Sequence, residues 1–258
     1  EKLPESVLKN FEKWIAQGAF DPRTEAAVKP IKGSNDLDAL WSFQPRVVSP
    51  VPPVVDRTWP RGPLDQFVLA RIEAAGLKPT FDAEHRVLVR RLYFDLTGLP
   101  PTSDQVEKFV DEYQEHGQQA VPRLVDRLLG EPAFGVRWGR HWLDVARYAE
   151  SNGDDGLGRN ATFPHAWRYR DYVVDAMNRD PGYDHFLREQ IIGDQLKADD
   201  ADERNRNLVA TGFLALGSKP ASAMNSNFAM DVVDDQINVV GTGVLGLSIA
   251  CARCHDHK

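Results

Sequence analysis

The sequence predicts an all-α protein, an irregular multi-helix domain with long loops and a Pro-rich N-terminal strap. Three observations carry this. From Leu64 onward, apolar residues recur at the i, i+3, i+4, i+7 spacing of a helix. Gly and Pro punctuate these periodic stretches where helices stop and start. No stretch alternates apolar and polar residues for long enough to make a strand.

Taken in order, residues 4–17 (PESVLKNFEKWIAQ) place Val7, Leu8, Phe11, Trp14 and Ile15 at helical spacing, and Gly18 supplies a stop. Residues 22–63 are rich in Pro and Val without period and read as a linker or strap, with Trp41 and Phe43 as anchors. Leu64, Phe67, Val68, Arg71, Ile72 and Ala75 give a helix closed by Gly76. The next, over 82–97, carries Val87, Leu88, Leu92, Phe94 and Leu96 and ends at Gly98. Thr102 and Gln105 form a capping box opening a helix to Tyr113. Another covers Val121 to Leu129, stopped by Gly130.

Residues 133–149 (AFGVRWGRHWLDVARYA) read as one helix with an apolar stripe of Phe134, Trp138, Trp142, Val145 and Ala149. Beside it runs a polar stripe, Arg137, His141, Asp144 and Tyr148, expected to be half-buried between the tryptophans. Residues 151–162 fail as a calcium loop, because Asp155 stands where that loop needs glycine; they read as a solvated turn. A helix follows from Thr162 through Met177, then one over Tyr183 to Ile192. The acidic run from Lys197 reads as an exposed connection into a short helix from Asn207 to Leu216. Residues 217–228 read as a polar loop. The last helix is expected over 229–250, with Val233, Ile237, Val240, Val244 and Leu247 as its core stripe. Its glycines Gly241, Gly243 and Gly246 permit close approach by a neighbouring helix or a flat macrocycle.

Of the 258 residues, 42% are hydrophobic and 27% charged, the composition of a globular domain. A net charge of -7 and a pI near 5.5 argue against a nucleic-acid-binding surface, which would show a basic stripe. No apolar run reaches the about 20 residues that cross a bilayer. The start at Glu1 and the stop soon after the cysteines lead us to expect a piece of a longer protein, with any signal peptide upstream.

The two cysteines lie in Cys251-Ala252-Arg253-Cys254-His255-Asp256-His257-Lys258. Cys-x-x-Cys-His is the attachment pattern of c-type haem. Two thiols at this spacing each add across a vinyl group of one porphyrin, and the adjacent imidazole of His255 becomes the proximal iron ligand. A disulfide between them would close a tiny loop and restrain the unfolded chain little. A thioredoxin-like pair wants its first thiol at a helix N-terminus, whereas here an apolar helical run precedes it. Zinc or iron held directly by Cys251, Cys254 and His255 or His257 is the alternative, although such ligands usually come from separate segments.

For the distal side of a haem the sequence offers His141, His257 and Met224. His257 is only two residues from His255, so one short segment would have to wrap from one face of the porphyrin to the other. His141 is therefore preferred over His257 and the methionines, with Asp144 placed to orient its other ring nitrogen, and an open sixth position is the remaining alternative. Arg168 and Arg170 are candidates to clamp the haem propionates, the competing reading being structural ion pairs.

The motifs RRLYFDLTGLPP (90–101), RWGRHWLDVARY (137–148), WRYRDY (167–172) and CARCHDHK (251–258) together resemble the planctomycete-type cytochrome c domain family. The resemblance covers the chain from about Pro60 onward, and WIAQGAFDPR (14–23) resembles the tail of a preceding cytochrome c-like domain. It implies residues 1–21 as that tail, 22–63 as the strap, and 64–258 as the helical domain, with a further domain following. It also implies Cys251 and Cys254 as thioether sites and His255 as proximal ligand. The chain departs from the family's pattern at Asn238, where aspartate is common, and at Thr242, where arginine is common.

The expected function is covalent haem c binding and single-electron transfer within a larger periplasmic or secreted protein. Its partner is expected to be a redox protein or an adjacent haem domain of the same polypeptide. Two alternatives stand beside it. One is a haem- or metal-dependent enzyme module, serving a downstream domain or a cleft near Asp144, Tyr148 and Arg170. The other is a non-haem Cys/His metal site with a structural role.

Overall fold

A computed structural model describes residues 4–18, 44–151, 163–217 and 228–253, and every regular element among them is helical. The chain divides into two units, residues 1–80 and residues 81–257.

In the first unit, α1 (Glu5–Ala16) is amphipathic, and Gly18 in a left-handed conformation (φ 89°) closes it. Leu8, Phe11, Trp14 and Ile15 all remain exposed. The described part of the Pro-rich segment is tied to α2 (Pro63–Ala74) by one carboxylate, because the backbone N–H groups of Val55 and Asp56 both donate to Glu73 at 2.9 Å. Asp65 accepts from the N–H groups of Arg61 (2.7 Å) and Gly62 (3.2 Å), giving partners to free donors at the helix start. The residue α2 buries is Leu69, while Leu64 is 81% exposed and Val68 is exposed. Apolar residues surround most of this helix, so its spacing alone singles out no face.

The second unit holds two cores. The first is built by α3 (His85–Thr97), α4 (Ser103–His116) and α5 (Ala120–Leu129) around Val89, Tyr93, Phe109, Leu124 and Leu128. On α3 the buried residues are Val89, Tyr93 and Thr97, flanked by Leu88, Leu92 and Leu96, whereas Val87 and Phe94 are exposed. The expected capping box opens α4: Gln105 N–H donates to Thr102 Oγ1 (3.3 Å) and Thr102 N–H donates to Gln105 Oε1 (2.8 Å).

The second core lies among α6 (Pro132–Val145), α7 (Ala166–Arg179), α8 (Tyr183–Ile192), α9 (Ala201–Ala210), α10 (Gly212–Ala215) and α11 (Phe228–Val240). Here α6 corrects the expected stripe. Its buried face runs through Gly135, Gly139 and Ala146, with Trp142 packed beside them, while Trp138 is 43% exposed. The glycines let α7 approach closely. A Cβ on Gly135 would overlap the Val174 carbonyl and the Asn178 side chain. Asn178 uses that closeness, accepting from Gly135 N–H at 2.8 Å and donating to Pro132 O at 3.3 Å, so one helix caps the first turn of another.

Two boundaries also differ from expectation. α6 stops at Val145, because Arg147 turns left-handed (φ 58°) and Tyr148 N–H donates back to Leu143 O at 2.9 Å, a Schellman-type end. Tyr148 is therefore not on the helix. The acidic run after Lys197 is not a bare connection: Asp200 caps α9, accepting from Glu203 N–H at 2.7 Å, and Asp202 and Glu203 fill the first turn. Carboxylates there complement the positive end of the helix dipole.

Candidate functional site

The segment carrying the cysteines leaves α11 sooner than its periodicity suggests. After Val240 the chain widens into a π turn (Gly241–Leu245), Gly246 reverses it with φ 66°, and a 3-10 turn spans Ala250–Arg253. Glycine costs about 1 kcal/mol per residue in a helix, and Gly241, Gly243 and Gly246 concentrate that cost where the helix gives way. Val233 and Ile237, expected in the core, are exposed, and Val239 is the fully buried residue of this stretch.

Two of the glycines are used for close approach by the chain itself. A Cβ on Gly241 would lie 2.8 Å from Ile249 Cδ1; one on Gly243 would lie 3.0 Å from Phe213 Cζ and 3.2 Å from Val145 Cγ1. The room they leave is taken by α6, α10 and the returning segment, so neither is a cradle for a macrocycle. What the fold presents outward is Cys251, exposed and not in a disulfide. An exposed free thiol fits the first thioether position of a c-type attachment, because the reacting vinyl group must reach it. Cys254, His255, His257 and Met224 lie outside the described residues, as do Trp41, Phe43, residues 152–162 and most of the 217–228 loop.

An ion pair ties the end of α6 to α11. Arg147 Nη2 meets Asp235 Oδ2 at 2.8 Å, both side chains less than one-third exposed. This contact helps hold the left-handed Arg147, a conformation that costs a non-glycine residue about 1–2 kcal/mol. One turn further along α11, the Asn238 side-chain oxygen is buried without a hydrogen-bond partner among the described residues.

The remaining candidates are spread over the surface of the unit. His141 is exposed on α6, its ring 5.5 Å from that of Trp138. Asp144 is also exposed, and no hydrogen bond joins the two among the described residues; of the expected polar stripe, Arg137 and Tyr148 are half-buried and His141 and Asp144 are not. Arg168 is exposed and lies over the Trp167 ring at 5.4 Å. Arg170 pairs with Asp171 at 2.9 Å and Glu150 at 3.4 Å, and Glu150 also accepts from the Tyr148 hydroxyl at 3.1 Å. Two positions apart on α7, the two arginines point to different sides. Among the described residues no group of three or more His, Cys, Asp or Glu could hold a metal ion.

A buried polar chain lies outside the residues singled out by motif or spacing. Trp142 Nε1 donates to the Tyr169 hydroxyl (3.1 Å), which donates to Gln190 Oε1 (2.6 Å). Tyr172 donates to Glu189 Oε2 (2.6 Å), and Glu189 Oε1 meets His185 Nε2 at 3.2 Å. Burial, first of all, pushes both tyrosines above the ordinary phenol range, and for Tyr172 the Glu189 carboxylate pushes further. The available signal was Tyr169 and Tyr172 at i, i+3 on one face of α7, facing the polar pair Glu189-Gln190 of α8.

Over residues 63–258 the chain matches the model of a family described as PSCyt2, protein of unknown function (DUF1549). No curated protein and no solved structure matches it.

Proposed function

Because the chain belongs to the PSCyt2 family (DUF1549), whose description assigns no function, we propose one from the chain's own residues: covalent haem attachment at Cys251 and Cys254 for single-electron transfer. The observation that carries this is an exposed, unpaired Cys251 thiol three positions before Cys254, with His255 next in sequence. Cys251 and Cys254 would hold the group by thioether bonds, and His255 would be its proximal ligand. Such a group supplies a one-electron ferric/ferrous couple whose potential depends on the axial ligands and on solvent exposure.

The chain's own contribution is to fix where that segment emerges. Gly243 seats the π turn on Phe213 and Val145, Ile249 folds back over Gly241, and the Arg147–Asp235 pair anchors α11 beside it. This reading places the protein outside the cytoplasm, where such attachment takes place. Among the described residues no helix is long and apolar enough to cross a membrane. The partner on this reading is a redox protein or an adjacent haem domain of the same polypeptide, and a net charge of -7 favours a partner with a basic docking face.

A pyridine haemochrome spectrum of protein produced with haem-attachment machinery tests the proposal. A c-type spectrum that vanishes in a Cys251→Ala, Cys254→Ala double variant is expected. Stoichiometric zinc in protein made without that machinery, with no haem in protein made with it, would instead establish a Cys/His metal site.

A further inference from the structure

We infer that the cavity between α6, the C-terminal end of α7 and the start of α8 binds a small organic cation with an apolar body, an aromatic amine or quaternary ammonium. The cavity has a volume of about 440 Å³, within the range of small-molecule sites. Phe134 and Trp142 of α6, Met177 of α7, and Tyr183 and Phe186 of α8 line it, and Asp180 is its one charged lining residue.

Two of its walls, Trp142 and Phe186, are set before any ligand arrives. The Trp142 indole is held by its hydrogen bond to Tyr169 and stacks on Phe213, with ring centroids 5.5 Å apart and planes at 21°. Phe186 meets Trp142 edge-on at 4.9 Å and stacks on Tyr172 at 6.1 Å. Fixed walls lower the ordering cost of binding.

Charge then selects the ligand. Aromatic faces carry negative potential and attract cations. Asp180, exposed at the cavity's mouth, adds a carboxylate that has no ion pair or side-chain hydrogen bond among the described residues. Its neighbours are accounted for otherwise, since Arg179 pairs with Asp175 at 2.6 Å and Arg188 with Asp184 at 3.1 Å. Asp180 occupies the left-handed position that ends α7 (φ 50°, ψ 52°), where glycine or asparagine is the usual residue. A neutral ligand would gain only apolar contact, and an anion would meet the carboxylate.

Calorimetric titration of the full chain with benzyltrimethylammonium, benzyl alcohol and phenylacetate tests the site. The cation is expected to bind at least about tenfold more tightly than the alcohol, and phenylacetate more weakly than either. Asp180→Asn keeps a residue that tolerates the left-handed conformation; it should bring the cation's affinity down towards that of the alcohol and leave the alcohol unchanged. Equal affinities for cation and alcohol in the unaltered chain, tighter binding of the anion, or no saturable binding of the cation at millimolar concentration would each overturn the assignment, whatever the variant does.

Discussion

Glu189 is almost fully buried, and two side chains meet its oxygens: Tyr172 at 2.6 Å and His185 at 3.2 Å. A buried carboxylate is tolerable only when hydrogen-bonded, so Tyr172 is worth more than its ring. Tyr172→Phe should cost about 1–3 kcal/mol in urea unfolding, because it leaves a buried acceptor oxygen without its donor. Tyr183→Phe, on an exposed ring, should stay within about 0.5 kcal/mol. The same tyrosines set an alkaline limit. Unfolded, a phenol ionises near pH 10, whereas burial holds Tyr169 and Tyr172 protonated to higher pH. Above about pH 10 the unfolded chain has therefore released protons that the folded chain keeps, and stability falls as pH rises. Their contribution is complete below that pH. Stability measured from pH 9 to 12 should fall less steeply in Tyr172→Phe than in the unaltered chain. At the proposed haem site, His141→Ala is expected to move the Soret band of haem-loaded protein, while His165→Ala and His185→Ala leave it in place. An unmoved band in the His141 variant removes that residue from the iron.

At the scale of elements, Gly135 and Gly139 sit one turn apart on α6 and face the same neighbour, yet the space at each differs. Alanine at either gains about 1 kcal/mol of helix propensity. At Gly135 the added methyl overlaps backbone and displaces the Asn178 clamp, an overpacking penalty of about 1–3 kcal/mol. At Gly139 it meets Val173 Cγ1 at 3.4 Å, close to ordinary contact. Thermal unfolding should therefore show Gly135→Ala destabilised and Gly139→Ala neutral or slightly stabilised, and the reverse order would contradict the α6–α7 packing described. This pair also explains what was legible. The presence of α6 follows from its period, but its buried face is made largely of glycines, which carry no hydrophobic signal, so Trp138 falls in the apolar stripe the sequence suggests. The start of α9 resembles a connection in sequence because a capping Asp200 and first-turn acids look like an exposed polar run. α11 is shorter than its periodicity suggests because the chain widens at Gly241; Gly241 and Gly243 do provide the close approach expected of them, while Gly246 ends the π turn that follows.

At the scale of the whole molecule, the all-α class was readable because helical spacing and Gly/Pro punctuation are local properties. The polar chain of Trp142, Tyr169, Gln190, Tyr172 and Glu189 was not, because it is assembled from three helices whose pairing no short-range pattern encodes. The candidate site divides the same way. Its chemistry is written in eight consecutive residues, whereas its setting depends on contacts between α11 and residues about ninety positions earlier, Arg147 with Asp235 above all. The proposed function requires a macrocycle joined to Cys251 and Cys254. The most direct measurement is the mass of the proteolytic peptide carrying Cys251 and Cys254, taken from denatured protein purified from its native host. The predicted result is a peptide heavier by one haem, retained through acidified organic solvent. A peptide at its unmodified mass with both thiols free to alkylate would contradict it.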